Sequence, residues 1–267
     1  MKLTFLGSGS AFSMKNFQTN VLVENNGKRL LIDCGTDIRW SLGELGLSFK
    51  DIDAVYISHL HADHVGGMEY MAFCSYFTPK AIMPNKIKLF GNQGVMLKAW
   101  DETLRGGLAS IQSKVVNLYD YFEVERIPEN GCFFWEGIKF DIVQTVHIMD
   151  AYTIVPSFGL MIRQPDSTDV TYFTSDAQFC PYQIQDFYNQ GNLIFQDCET
   201  TPFKSGVHAN YKDLVTLDEK TKNKMWLMHW NDNIAADFEK YNAEAVKDGF
   251  LGFVTKAQSF NIGINLE

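Results

Sequence analysis

Residues 58–67, which read Ser-His-Leu-His-Ala-Asp-His-Val-Gly-Gly, constrain this chain more than any other segment. They place four side chains that commonly bind metals within six positions: His59, His61, Asp63 and His64. Imidazole suits zinc and similar divalent metals, and a carboxylate adds negative charge to the same site. The chain has six histidines, and three of them lie here. A chance cluster on a surface loop does not account for this density, so we interpret the segment as part of a metal site.

The sequence on either side predicts that this segment is a loop between a strand and a helix. Residues 53–58 are apolar and partly β-branched, which is typical of a short buried strand. Residues 67–77 are very apolar and have the length of a helix. A loop of this kind at the edge of a sheet can hold several side chains around one point.

Three further candidate ligands follow later predicted strands. The strands are predicted at residues 138–145, 170–174 and 224–228, and the candidates that follow them are His147, Asp176 and His229. Two metal ions that share a bridging group need about three nitrogen or oxygen ligands each, and the seven candidates meet this requirement. A single structural zinc would use only four of them.

Asp33 ends the second strand of a hairpin predicted at residues 19–24 and 28–33. The turn Asn25-Asn26-Gly27 between these strands is a strong hairpin signal. An acid in this position can orient a metal ligand through a hydrogen bond. It can equally cap the helix predicted at residues 36–46. Both interpretations stay open.

The rest of the chain alternates between strand and helix patterns. Asn92 is predicted to cap a helix at residues 93–104, and residues 211–219 are predicted to be helical. Residues 105–121 are predicted to form a mobile loop or short insertion, and residues 148–157 a loop. At 267 residues and 46% hydrophobic content, the chain can build a sizeable core in one large or two small domains.

Charge and composition argue against a tight grip on long nucleic acid. The net charge is −9, the pI is near 5.2, and Lys and Arg are scattered rather than clustered. Aromatic residues make up 14% of the chain. Tyr152, Phe158 and Trp230 lie beside predicted ligand loops, where they could contact a nucleobase or pack in the core.

Other features indicate a cytoplasmic location. The five cysteines are odd in number and lack a C-x-x-C pattern, which favours reduced thiols over a disulfide scaffold or zinc ribbon. No signal-peptide pattern opens the chain, and no apolar run approaches the ~20 residues of a membrane span. We therefore expect no membrane partner.

The motif His59-Leu-His61-Ala-Asp63-His64 resembles the H-x-H-x-D-H signature of the metallo-β-lactamase superfamily. Residues 1–9, Asp33-Cys34-Gly35 and the three later ligand candidates follow in the family's order, so the resemblance covers nearly the whole chain. It implies an α/β fold in one domain over residues 1–267. That fold is a four-layer αββα sandwich with its site at one edge of the two sheets.

The resemblance also implies two metal ions, Zn²⁺ with Mn²⁺ as an alternative. One ion would bind His59, His61 and His147. The other would bind Asp63, His64 and His229. Asp176 would bridge the ions, and an aspartate there is similar to the phosphodiesterase branches rather than the zinc β-lactamases. Asp63 would in addition orient or deprotonate the attacking water.

His208, followed by Ala209 and Asn210, resembles the extra histidine of the ribonuclease Z branch. That resemblance implies that His208 lies near the phosphate and assists the leaving group. Asp197 or Glu199 would be its acidic partner, and the choice between them stays open. The alternative is that His208 is a surface histidine at the start of a helix.

The expected function follows from a feature that the chain lacks. Ribonuclease Z proteins usually carry a basic arm that grips tRNA, and no such arm is visible here. The chain is similar to arm-less cyclic-nucleotide phosphodiesterases, among them phage enzymes that evade Pycsar defence. We expect a hydroxide held by two metals to open small 3′,5′-cyclic mononucleotides, depleting an immune signal in the host cytoplasm if the chain is phage-encoded. The alternatives are a ribonuclease Z-type tRNA endonuclease and an inactive nucleotide-binding sponge.

By analogy we expect a homodimer, with the apolar helix at 68–77 as a candidate interface.

Overall fold

The computed structural model describes residues 1–165 and 167–263, which form sixteen strands and ten α-helices. The strands are β1 Lys2–Gly7, β2 Asn20–Asn25, β3 Lys28–Ile32, β4 Ala54–Ile57, β5 Lys88–Asn92, β6 Ser110–Ile111, β7 Lys114–Val115, β8 Glu123–Ile127, β9 Cys132–Trp135, β10 Ile138–Met149, β11 Ile154–Arg163, β12 Val170–Phe173, β13 Leu193–Asp197, β14 Met225–Met228, β15 Gly252–Phe253 and β16 Ser259–Asn261. The helices are α1 Ile38–Glu44, α2 Ala62–Val65, α3 Met68–Phe77, α4 Gln93–Lys98, α5 Arg105–Leu108, α6 Leu118–Tyr121, α7 Pro181–Gln190, α8 Tyr211–Leu214, α9 Glu219–Lys222 and α10 Phe238–Lys247.

Two seven-stranded sheets dominate the structure. Their strand orders are β16-β1-β2-β3-β4-β5-β8 and β15-β14-β13-β12-β11-β10-β9. Each sheet is antiparallel on one side and has four parallel strands on the other, β3-β4-β5-β8 in the first sheet and β12-β13-β14-β15 in the second. The carboxyl ends of parallel strands meet at one edge, where loops can place functional side chains close together.

Aromatic side chains join the two sheets. Phe133 of the second sheet stacks on Phe90 of the first, with ring centroids 4.5 Å apart, and on Phe140 at 4.7 Å. The Tyr56 hydroxyl donates a hydrogen bond of 2.8 Å across the interface to the Phe158 carbonyl. Offset aromatic pairs add stabilisation beyond the apolar area that they bury.

Helices cover the outer faces of both sheets. Helices α1 and α4 contact β1 and β5, whereas α7 and α10 contact β12 and β15. A second apolar cluster, which includes Ile184, Tyr188 and Ala245, fills the space between the second sheet and its helices. This arrangement confirms the αββα sandwich, with helix, sheet, sheet and helix as its four layers.

Residues 148–157 are not a loop, so that prediction was wrong. Strand β10 runs on to Met149 and β11 starts at Ile154, which leaves only a short turn between them. The Asp150 carboxylate closes this turn by accepting 2.7 Å hydrogen bonds from the Tyr152 and Thr153 amides. An aspartate side chain that accepts a hydrogen bond from the backbone amide two residues further on forms a tight turn, so a longer loop is not needed here.

Of the two predictions for residues 105–121, the mobile loop was wrong, because this stretch is built from regular elements. The other, a short insertion, stays a prediction. Asn92 caps α4 as expected, and the helix continues through a π-helical segment, Ala99–Leu104, into α5. The β6–β7 hairpin and α6 follow. Asn117 and Asp120 form a capping box that starts α6. The helix expected at 211–219 is instead two short helices, α8 and α9.

Other expectations concern thiols, membranes and assembly. All five cysteines are free, as predicted. Within the described part of the chain, no helix combines the length and the apolarity that crossing a bilayer requires. Helix α3 buries Met68, Met71 and Ala72 in the core of this chain. A homodimer interface on its remaining face stays a prediction.

Gly159 offers a test of how closely the strands of the second sheet pack. A Cβ at this position would lie 2.5 Å from the Phe173 carbonyl oxygen and 2.7 Å from that of Thr174. Because these are backbone atoms of the neighbouring strand, we expect Gly159→Ala to lower the free energy of unfolding by about 1–3 kcal/mol. Urea denaturation measures this change.

Gly43 in α1 is the matched control, since a Cβ there meets nothing within 4 Å. Gly43→Ala should stabilise the protein by about 0.5–1 kcal/mol through helix propensity. Equal effects of the two substitutions would contradict the close approach at Gly159.

Candidate metal centre

Loops and strand ends from both sheets bring the predicted ligands to one edge. The 58–64 segment follows β4, while Asp176 and His229 follow β12 and β14. His147 does not lie past a strand end as predicted. It lies inside β10, where the pairing with β11 shifts register between Val146 and Ile148. A β-bulge of this kind re-aims a side chain, and this one directs His147 into the site.

Three histidines form the first cluster together with Asp176. The Nδ1 atom of His61 lies 3.0 Å from Nε2 of His59 and 3.1 Å from Nε2 of His147. Asp176 Oδ2 lies 3.7 Å from Nε2 of His59 and 3.6 Å from Nε2 of His147. All four side chains can therefore face one point.

Asp63, His64 and His229 form a second cluster around the other oxygen of Asp176. Nε2 of His64 lies 3.1 Å from Asp63 Oδ2 and 3.2 Å from Asp176 Oδ1. Nε2 of His229 lies 3.2 Å from Asp63 Oδ2 and 3.5 Å from Asp176 Oδ1. Asp176 thus presents one carboxylate oxygen to each cluster, as a bridging ligand does.

These distances fit divalent metal ions. Ligands bound tetrahedrally to Zn²⁺ at about 2.0–2.1 Å lie about 3.3 Å from one another. The atom pairs given above are 3.0–3.7 Å apart, and all ligand atoms of each cluster lie within 4.8 Å of one another. Nε2 of His64 is buried without a hydrogen-bond partner in the described structure, although two carboxylates flank it. An orphaned nitrogen in a buried acidic site is what a metal ligand looks like without its ion.

Hydrogen bonds behind the ligands set their orientation. Asp33 Oδ2 accepts a 2.8 Å bond from Nδ1 of His64 and a 2.7 Å bond from the Ser58 hydroxyl. The Val207 carbonyl accepts a 2.8 Å bond from Nδ1 of His147. Such partners fix the ring and leave Nε2 for the metal. Asp33 therefore orients His64, a candidate ligand, and the helix-cap alternative is excluded because Asp37 occupies the cap position of α1.

The backbone around the site is held in an uncommon conformation. Asp33, Ser175 and His229 have φ values of 62°, 53° and 62°, in the left-handed region that non-glycine residues rarely adopt. Each lies just past the end of a strand at this edge. Strain of this kind persists where surrounding contacts hold it, and it is concentrated at functional sites.

His208 pairs with Asp197 and not with Glu199. Its Nδ1 lies 2.8 Å from Asp197 Oδ2, and Asp197 is fully buried at the end of β13. Glu199 instead accepts hydrogen bonds from the Ser205 amide and the Asn210 side chain. Burial by itself lowers the pKa of His208, but the carboxylates of Asp197 and, to a smaller extent, Asp176 and Asp63 outweigh it and raise this pKa to about 10.

A cavity of 260 Å³ opens beside His208 and His229. Its walls include Phe12 and Phe203, two residues that the sequence pattern does not single out. The aromatic residues considered from sequence lie elsewhere. Phe158 and Trp230 belong to the apolar cores. Tyr152 is 95% exposed on the β10–β11 turn.

Comparison with known proteins agrees with this architecture. The family model described as "Anti-Pycsar protein Apyc1" matches residues 1–260. The chain belongs to the Anti-Pycsar protein Apyc1 family. It is 34% identical over 245 residues to the Apyc1 protein of Bacillus phage vB_BveM-Goe7, covering 87% of this chain and 90% of that protein. It is 35% identical over 236 residues to the Apyc1 protein of Paenibacillus harenae, with 88% and 91% covered.

Solved structures share the fold at lower identity. A diphosphatase from the PhnP family superposes with a TM-score of 0.75 at 19% identity, covering 100% of this chain and 99% of the other. The short form of human tRNase Z superposes with a TM-score of 0.68 at 17% identity, covering 99% and 100%. The two sheets and these structural similarities together show that this Apyc1 family member has a metallo-β-lactamase fold.

If the two clusters bind metal, chelation should destabilise the protein. Ions that bind only the folded state at about 100 times their Kd contribute about 2.7 kcal/mol. For a chain of this size that corresponds to a Tm shift of about 5–10 °C. We expect a chelator to lower Tm by this amount and Zn²⁺ or Mn²⁺ to restore it, as measured by calorimetry.

Asp176→Asn should reduce the bound metal in elemental analysis and remove most of the chelator response. Asp141→Asn is the control, because Asp141 pairs with Arg163 on β11 away from the clusters. A wild-type Tm that is insensitive to chelator would contradict the metal assignment.

Proposed function

We propose that this chain is a metal-dependent hydrolase that opens 3′,5′-cyclic mononucleotides. The observation that carries the proposal is one buried carboxylate, Asp176, shared by two ligand clusters, with the His208–Asp197 pair beside them. Two ions about 3.5–4 Å apart form the usual clamp for phosphoryl transfer. The family name Anti-Pycsar supports a role in removing a cyclic-nucleotide signal. The cytoplasm, of the host if the chain is phage-encoded, is where such a signal would be removed.

Bound divalent ions, Zn²⁺ or Mn²⁺, would neutralise phosphoryl oxygens and lower the pKa of water at the site. The chain itself supplies Asp63. Burial favours its neutral form, but His64 and His229 outweigh burial and lower the pKa of Asp63. A carboxylate in this position can orient or deprotonate the attacking water, and we assign that role to Asp63.

His208 is placed to serve the leaving group. Its Nδ1 faces Asp197, which leaves Nε2 as the nitrogen that can face the cavity. As the water oxygen bonds to phosphorus and a ribose ester bond breaks, the proton that the water loses would pass to Asp63 or to solvent, and protonated His208 would give its proton to the departing ribose oxygen. Asp197 holds the imidazole in position and favours its charged form.

Size and charge favour a small substrate. The cavity of 260 Å³ lies below the range of about 300–1,000 Å³ that is typical of drug-sized ligands. The residues that line it include no Lys or Arg in the described structure. The whole chain carries 32 acidic and 23 basic residues, which opposes a long polyanion.

Product analysis tests this proposal. Metal-loaded protein is incubated with 3′,5′-cyclic mononucleotides of each base, with cyclic dinucleotides and with a 3′-extended tRNA precursor, and products are identified by mass spectrometry. We expect nucleoside monophosphates from the cyclic mononucleotides, and Asp176→Ala should form none while remaining folded. Cleavage of the tRNA alone would identify a ribonuclease Z-type endonuclease. Binding of nucleotide without turnover would identify a sponge.

A second prediction concerns the effect of the His208–Asp197 pair on kcat. His208→Ala should lower kcat by about 10²–10⁴-fold, the usual contribution of a general acid, without loss of metal. Asp197→Asn should also lower kcat, because it removes the charge that holds the imidazole of His208.

Glu199→Gln is the control, because Glu199 contacts the loop at 201–205 and not His208. We expect it to act on KM rather than on kcat. Equal kcat losses for Asp197→Asn and Glu199→Gln would contradict the assigned pair. Loss of metal in His208→Ala would make His208 a ligand instead.

A further inference from the structure

Two phenylalanines at the mouth of the cavity leave most of their surface in solvent. Phe12 is 89% exposed and Phe203 is 66% exposed. Both line the cavity that also contains His208 and His229. An aromatic ring in water forgoes the stabilisation that burial would provide. Two such rings beside a candidate site therefore suggest a ligand that covers them.

The backbone that carries Phe12 is anchored on both sides. The Ala11 carbonyl accepts a 3.1 Å hydrogen bond from the Gln18 side chain. The Ser13 hydroxyl donates to Asp232 Oδ1 at 2.6 Å, and the Met14 amide donates to the other oxygen of Asp232 at 2.7 Å. Phe12 thus projects from a fixed turn.

The backbone that carries Phe203 is anchored as well. The Phe203 carbonyl accepts a 2.7 Å hydrogen bond from the Thr201 hydroxyl and a 3.4 Å bond from the Asn210 side chain. Glu199 accepts bonds from the Ser205 amide at 3.0 Å and from Asn210 at 3.1 Å. Through these bonds Glu199 supports the loop that carries Phe203. A loop ordered before binding loses less entropy when a ligand arrives.

We propose that Phe12 and Phe203 form the base subsite, on which the nucleobase of a cyclic mononucleotide stacks while its phosphate lies at His208 and the ligand clusters. This inference rests on the proposed function. Aromatic rings stack on any base, because every base has a π-face. Ser10 and Asn231 add neutral polar groups to the same cavity, and the Glu199 carboxylate that also lines it accepts hydrogen bonds from the Ser205 amide and the Asn210 side chain.

The test compares cyclic nucleotides with a matched ester that lacks the base, 1-O-methylribose 3′,5′-cyclic phosphate. For Phe12→Ala and Phe203→Ala, we expect the ratio of kcat/KM on cyclic nucleotide to kcat/KM on the base-free ester to fall about 5- to 100-fold, the usual effect of removing one stacking platform. Because stacking is equal in ground and transition states, the loss should appear in KM rather than in kcat. Phe203→Trp should retain the wild-type ratio.

Phe134→Ala is the matched control, since Phe134 is 64% exposed and lines a different cavity. It should leave the ratio unchanged. Equal losses on both esters in Phe12→Ala and Phe203→Ala would overturn the base subsite and leave the proposed function standing. Wild-type protein that hydrolyses neither ester would instead overturn the proposed function. Circular dichroism of each variant separates these outcomes from misfolding.

Discussion

The shared carboxylate of Asp176 is the constraint on which the rest of the site depends. It is fully buried, and its two oxygens face two separate groups of imidazole nitrogens. A buried carboxylate without partners would be very costly, so these charges require cations or protons around them. The ligand spacing suits metal ions, and each cluster draws side chains from both sheets. The site therefore exists only when the two sheets are packed together.

The sandwich provides that packing through contacts far from the chemistry. Aromatic stacking between Phe90, Phe133 and Phe140 holds the sheets face to face, and the Tyr56 hydroxyl links them directly. Strand ends and the bulge in β10 then place the candidate ligands at one edge, where hydrogen bonds such as the one that Asp33 accepts from Nδ1 of His64 support them. Second-sphere partners of this kind turn a cluster of imidazoles into a site of defined geometry.

Several details of the site could not be predicted from the sequence pattern. Sequence spacing put His147 past a strand end, but a register shift keeps it inside β10. Asp197 and Glu199 are two residues apart and were equivalent candidates. They separate because Asp197 ends a buried strand while Glu199 turns toward the loop of Phe203. Of the aromatic residues near ligand loops, Phe158 and Trp230 pack in the cores and Tyr152 does not line the cavity, because adjacency in sequence does not predict which face a side chain takes.

The sequence by itself determined the fold class and the candidate ligands, since the H-x-H-x-D-H run and the order of the later His and Asp residues are recognisable in the sequence alone. It also showed that Lys and Arg are scattered rather than clustered. Only the tertiary structure decided which nitrogen faces which oxygen, which acid pairs with His208 and which rings border the cavity. The physical reason is that these relations join residues as far apart as Asp63 and His229, whose distance depends on two sheets closing over one core.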